Sequence, residues 1–161
     1  MIRPATKLRF ERTTDLMRKA VKKDLDYTCL LTEQRGSEER AYSRSHVIET
    51  AHIFSASQFP SVAKCLENGI TLVGYRHSWR FGFDHGDGIG CLDLLPYKTP
   101  MLAPTRPVVD RFLWLREHLP DRGWGVAYTR LKLLVSEARE FDREIMAMSS
   151  ELLDILEGRD V

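Results

Sequence analysis

Apolar side chains recur along this chain in two rhythms. Leu16, Met17, Ala20, Val21 and Leu25 fall at helical spacing, which predicts a helix over 10–26 capped by Thr13 or Thr14. Over 47–54, and again over 70–75, short apolar runs with β-branched residues predict two strands. Between them, 61–66 reads as a short helix and Glu67-Asn68-Gly69 as a turn. Four prolines (Pro96, Pro100, Pro104, Pro107) mark 96–107 as a connector, and helical spacing returns over 108–118. Pro120, Gly123 and Gly125 predict a break over 119–125.

The stretch 126–156 is the most regular. Leu131, Leu134, Ala138, Phe141, Ile145, Met148, Leu152 and Ile155 alternate spacings of three and four, as the a and d positions of heptads do. That predicts one long amphipathic helix and, through it, a homodimeric coiled coil. Leu133, Val135, Leu153 and Leu156 widen the stripe, as in a helix that covers its own domain. The expected layout is α+β: a domain over 1–123 with a basic N-terminal helix, then a long helix over 124–161 as a candidate dimerisation element.

Composition adds limits. The chain has 161 residues, 43% of them hydrophobic and 29% charged, which fits one folded domain and excludes a disordered chain. No apolar run reaches membrane-spanning length, and the first residues lack the apolar stretch of a secretory leader. Three cysteines without a C-x-x-C pair argue against a disulfide framework or a structural zinc. An intracellular protein, cytoplasmic or nuclear and away from membranes, is expected. Net charge is only +1, but residues 1–23 carry eight bases against two acids, and residues 137–160 carry eight acids against three bases. A basic face of that kind suits a polyanion, although two solvated helix faces of opposite sign give the same pattern.

The candidate chemistry lies between these charge blocks. His52 ends the first predicted strand, Asn68 stands in the loop that follows, and His77 comes just after the second strand. Phosphodiester hydrolysis needs a base to activate water, a divalent cation to stabilise charge on the phosphate, and a group that holds the base in its working tautomer. His52 as base, Asn68 as orienter and His77 as metal ligand supply that set. Each has a plainer reading beside it: a satisfied core histidine, a turn asparagine and a surface histidine. His46 reads as structural or exposed.

In order and spacing, Ala51-His52-Ile53, Ser55, Asn68-Gly69-Ile70, Leu72, His77, Phe83-Asp84 and Gly86 resemble the HNH endonuclease motif. The resemblance is to the subgroup reading roughly AHI-x-x-S, NGI-x-L, H, FD-x-G. Cys29-Leu30-Leu31-Thr32 is similar to the C-x-x-T-G turn that precedes the motif there. The resemblance covers roughly 27–88, under half of the chain. It implies a ββα-metal core, cleavage of DNA, and one divalent ion (Mg, Mn, Zn or Ni). By motif position, His52 is the base, Asn68 the residue that holds the loop and the base, and His77 a metal ligand.

Two positions depart from the pattern. Many members carry a ligand just before the first histidine, where this chain has Ala51, and another four residues after the last, where it has Phe81. A single ligand holds a divalent ion poorly. Asp84 is the nearest replacement, with Glu49 and His85 behind it. Arg76, Arg80 and Lys98 are the expected phosphate contacts. Two other classes stay open: a degenerate HNH fold that binds nucleic acid or protein without catalysis, and an assembly protein built around the coiled coil.

Overall fold

The Thr13 hydroxyl accepts from the Leu16 amide at 3.1 Å and so starts the first helix, α1 (Thr14–Asp24). The computed structural model describes residues 7–36, 48–73 and 106–159. In chain order, α1 is followed by strand β1 (Ile48–His52), 3-10 turns at Pro60–Val62 and Leu66–Asn68, and strand β2 (Gly69–Val73). Three helices close the described chain: α2 (Arg106–His118), α3 (Asp121–Ala138) and α4 (Arg143–Leu156). The architecture is therefore α+β, with four helices and one two-stranded antiparallel sheet among the described residues.

The sheet has a single register: Ile48 faces Val73, Thr50 faces Thr71, and His52 faces Gly69. Directly paired residues share a face, so Thr50, His52, Gly69 and Thr71 point one way and Glu49, Ala51, Ile70 and Leu72 the other. The first face is the one α1 lies against: Thr50 Oγ1 donates to the Arg18 carbonyl at 2.8 Å. Gly69 is extended, at φ −120°, so it is not there for an unusual dihedral. It leaves room for the helix. A Cβ at that point would stand 2.8 Å from Val21 Cγ2 and 2.9 Å from Met17 Cε, both on α1. Met17 and Val21, one turn apart, are fully buried there.

One hydrophobic cluster runs from Met17 to Leu156 and draws on every helix and both strands. Its aromatic centre is Phe54, which meets Phe59 edge-on at 5.1 Å and Phe112 at 5.8 Å.

The C-terminal region corrects the expectation of one long helix over 126–156. The chain breaks after Ala138 and restarts at Arg143, where Asp142 Oδ1 accepts from the Ile145 amide at 3.0 Å. The two helices run antiparallel: Tyr128 and Lys132, early in α3, reach Glu157 beyond the end of α4 at 3.1 and 3.0 Å. The expected seam faces inward. Leu131, Leu134, Ala138, Ile145, Leu152 and Ile155 are fully buried, while Phe141, in the turn, is 52% exposed. The stripe serves this chain's own core and is not left over for a coiled coil. The boundary expected between 123 and 124 falls inside α3, and the expected break over 119–125 shrinks to Leu119 and Pro120. Gly123 lies inside α3, at a point where the helix passes against the backbone of Leu30 and any Cβ would collide with the carbonyl oxygen.

No helix among the described residues is long and apolar enough to cross a membrane.

Candidate active site

The site is a loop folded back on the end of β1. His52 is the last residue of the strand, 4% exposed, and its Nε2 lies 2.9 Å from the Ala63 carbonyl. A carbonyl only accepts, so Nε2 carries the hydrogen. In the neutral ring the basic lone pair is then on Nδ1. The group that fixes the tautomer is thus a backbone carbonyl of the 53–68 loop.

Asn68 shapes that loop. Its side chain is fully buried, and Oδ1 accepts from the Phe54 amide at 2.8 Å. Nδ2 donates to the Phe54 carbonyl at 2.9 Å and to the Val62 carbonyl at 3.1 Å. Its own carbonyl accepts from the Ile53 amide at 3.0 Å. One carboxamide satisfies both backbone groups of Phe54 and adds a second donor to the Val62 carbonyl, which also accepts from the Cys65 amide at 3.1 Å. Asn68 therefore holds the His52 imidazole indirectly. It fixes the loop, and the loop presents Ala63 to the imidazole.

Helix α2 grips the same turn from outside the motif. Arg111 is 3% exposed, and its Nη1 donates to the carbonyls of His52 and Ile53, both at 3.0 Å. Sequence reasoning did not single it out. The signal was there, because Arg111 stands on the stripe of Val108, Phe112 and Leu115, where a helix of this pattern places apolar residues.

The neighbouring charges form a closed network. Glu67, fully buried, accepts from the Arg9 amide at 2.7 Å and from its guanidinium at 2.7 and 2.8 Å. Arg9 also makes a two-pronged pair with Asp24, both distances 3.1 Å. Arg130 reaches the Leu66 carbonyl from α3, and burial pulls its pKa down against the attraction of Asp24 and Glu67. The Cys65 thiol, in the same shell, is pushed up to about 12 by burial and then by the Glu67 charge.

The segment before β1 is tied to the same frame. Cys29 Sγ accepts from the Thr32 amide at 3.3 Å, and the Leu30 amide donates to the Thr71 carbonyl at 3.0 Å. Glu33 occupies the place of the glycine in the C-x-x-T-G pattern and adopts φ 63°.

Of the residues named from sequence, the structure brings His52 and Asn68 into one loop. It does not bring Glu49 to them, since strand alternation sends Glu49 to the opposite face from His52. Ala51, the position before His52, is fully buried. His77, Asp84, Arg76, Arg80 and Lys98 lie outside the described residues, as do His46, Phe81 and His85. Among the described residues no group of three or more His, Cys, Asp or Glu is gathered as a metal site. No protein-family model matches the chain, and neither a curated protein nor a solved structure matches it.

Proposed function

We propose that this chain is a metal-dependent endonuclease of the HNH type that hydrolyses phosphodiester bonds in DNA. The observation that carries the reading is the setting of His52: an imidazole at a strand end, fixed in the Nε2–H tautomer by Ala63, on a loop that Asn68 staples. That leaves Nδ1 as the base. In the proposed step Nδ1 takes a proton from water, the water oxygen attacks phosphorus, and the bond to the leaving sugar oxygen breaks, its electron pair staying on that oxygen, which takes a proton from solvent. The excess of basic residues over 1–23 suits a polyanionic substrate, and a DNA substrate goes with an intracellular place of action.

A divalent ion would supply stabilisation of negative charge on the phosphate. The described residues alone do not assemble a donor set for it, so His77 and Asp84 are its proposed ligands on the strength of the motif alone. A homodimer through the C-terminal helix is not part of the reading, because the apolar seam that suggested it is buried within the chain.

The test is conversion of supercoiled plasmid to nicked circles with Mg or Mn. The wild-type protein is expected to nick, EDTA to stop it, and His52→Ala to reduce the rate at least about 100-fold. Undiminished nicking by His52→Ala refutes the reading.

One observation favours a second reading, a fold of this type that binds without cutting. A base must reach water and substrate, and His52 is 4% exposed. Under that reading the protein retards DNA on a gel, with or without EDTA, and no nicked product forms.

A further inference from the structure

We infer that Arg111 is a positioning residue for the hydrolytic step, an inference that rests on the nuclease reading above. Arg111 bonds the main-chain carbonyl of His52. It acts on the backbone from which the imidazole hangs. One nitrogen of a buried guanidinium donates to two successive carbonyls, those of His52 and Ile53, each at 3.0 Å. Asn68 holds the next stretch, from the Ile53 amide to the Phe54 amide and carbonyl. From His52 to Phe54 the turn is therefore held by donors and acceptors from two distant parts of the chain.

The neighbour of Arg111 does for side chains what Arg111 does for the backbone. Phe112 is fully buried and packs edge-on against Phe54 at 5.8 Å. Two consecutive residues of α2 thus lock the turn that carries the base. A base must lie within hydrogen-bond reach of its water, and a displacement of about 1 Å costs on the order of 100-fold in rate. Charge-assisted hydrogen bonds to backbone resist such a displacement better than neutral ones. Arg116 supplies a contrast on the same helix. Its Nη1 donates to the Ile155 carbonyl on α4 at 3.1 Å, a contact with no part in the His52 turn.

The experiment is single-turnover plasmid nicking by the full chain, with rate and half-saturating DNA concentration measured separately. Arg111→Met is expected to lower the rate about 10- to 100-fold and to leave the half-saturating concentration within about 3-fold. Arg111→Lys, which keeps a charged donor, is expected to recover most of that rate. Arg116→Met is expected to lose stability yet keep the wild-type rate. Nitrogen-15 spectra of the His52 ring give a readout that stability alone does not move: the Nε2–H form in the wild type, a mixture of tautomers in Arg111→Met. The lysine variant keeps the test decisive if the methionine variant does not fold. The inference is overturned by wild-type nicking in Arg111→Met, by an equal loss in Arg116→Met, or by ring signals identical to wild type. A wild-type protein that does not nick at all overturns the nuclease reading first, and the catalytic role of Arg111 with it. The ring spectra still decide whether Arg111 holds the imidazole.

Discussion

Asn68 holds Phe54 at both of its backbone groups, accepting from the amide at 2.8 Å and donating to the carbonyl at 2.9 Å. Both buried groups depend on this one carboxamide, which also adds a second donor to the Val62 carbonyl beside the Cys65 amide. Each buried group stripped of its partner costs about 1–3 kcal/mol. Asn68→Ala is expected to destabilise the fold by about 3 kcal/mol, read from urea unfolding. Asn68→Asp keeps the acceptor but sets a carboxylate oxygen against two carbonyls, and is expected to be at least as damaging. A loss under about 1 kcal/mol in both variants would mean that the loop is held by something else.

Two glycines in α3 are expected to respond in opposite directions. Gly123 lies against the Leu30 backbone, whereas nothing stands within 4 Å of a Cβ at Gly125. Gly125→Ala is expected to stabilise by about 0.5–1 kcal/mol, the usual gain in a helix interior. Gly123→Ala must push α3 away from the Cys29–Leu30 turn and is expected to cost about 2 kcal/mol or more. Equal effects in thermal melts would show that the close approach is not fixed.

Glu33 is held at φ 63°, a conformation that costs a residue with a side chain about 1–2 kcal/mol. It is exposed, and its tie to the turn is through the backbone, its amide donating to the Cys29 carbonyl at 2.8 Å. Glu33→Gly is expected to raise stability by about 1 kcal/mol, the relief of strain exceeding the extra freedom of the unfolded chain. An unchanged or lower urea midpoint would contradict this.

Cys65 gives the fold a dependence on alkaline pH. Its thiol stays protonated in the folded state up to about 12, against an ordinary value of 9.0, because burial and Glu67 disfavour the thiolate. Between those values the folded chain binds the proton and the unfolded chain releases it. Stability is therefore complete below about 9 and falls as pH rises toward 12, by at most about 1.4 kcal/mol per pH unit. Cys65→Ala removes this titration. The difference in unfolding free energy between wild type and variant is expected to shrink between pH 8.5 and about 10.5, and a constant difference would sink the claim.

The parts legible in the sequence were those that local pattern decides. Thr13 caps α1 as expected, β1 lies inside its expected limits, β2 starts one residue ahead of its own at Gly69, and α2 ends at His118 as the spacing indicates. The C-terminal hairpin was hidden by its own regularity. Ala138, Phe141 and Ile145 keep heptad spacing straight across the turn, so the period runs on where the helix does not. The competing signal was Asp142, three residues before Ile145, a good N-cap inside an apparent helix. Gly123 misled in the other direction: a residue chosen for closeness was read as a breaker. Of the site, His52 and Asn68 were visible as types in order, but their connection runs through backbone atoms of Ala63 and Phe54, which no side-chain pattern encodes. Arg111 and Arg130 share a signature that was overlooked. Each interrupts an apolar stripe, Arg111 among Val108, Phe112 and Leu115, and Arg130 among Ala127, Leu131 and Leu134. A cation at a core position marks a carbonyl or carboxylate that needs it.

The long reach of these contacts bears on how the molecule is made. The His52 turn leaves the ribosome before α2 exists, and its bonds to Arg111 span 58 and 59 residues. The Leu8 amide waits longer still, for Glu137, 129 residues away. The hairpin is therefore finished among the last events of biosynthesis, after a period in which Ile53 and Phe54 stand uncovered. A message that stops ahead of α2 yields a chain for chaperones and proteases, not a smaller folded protein.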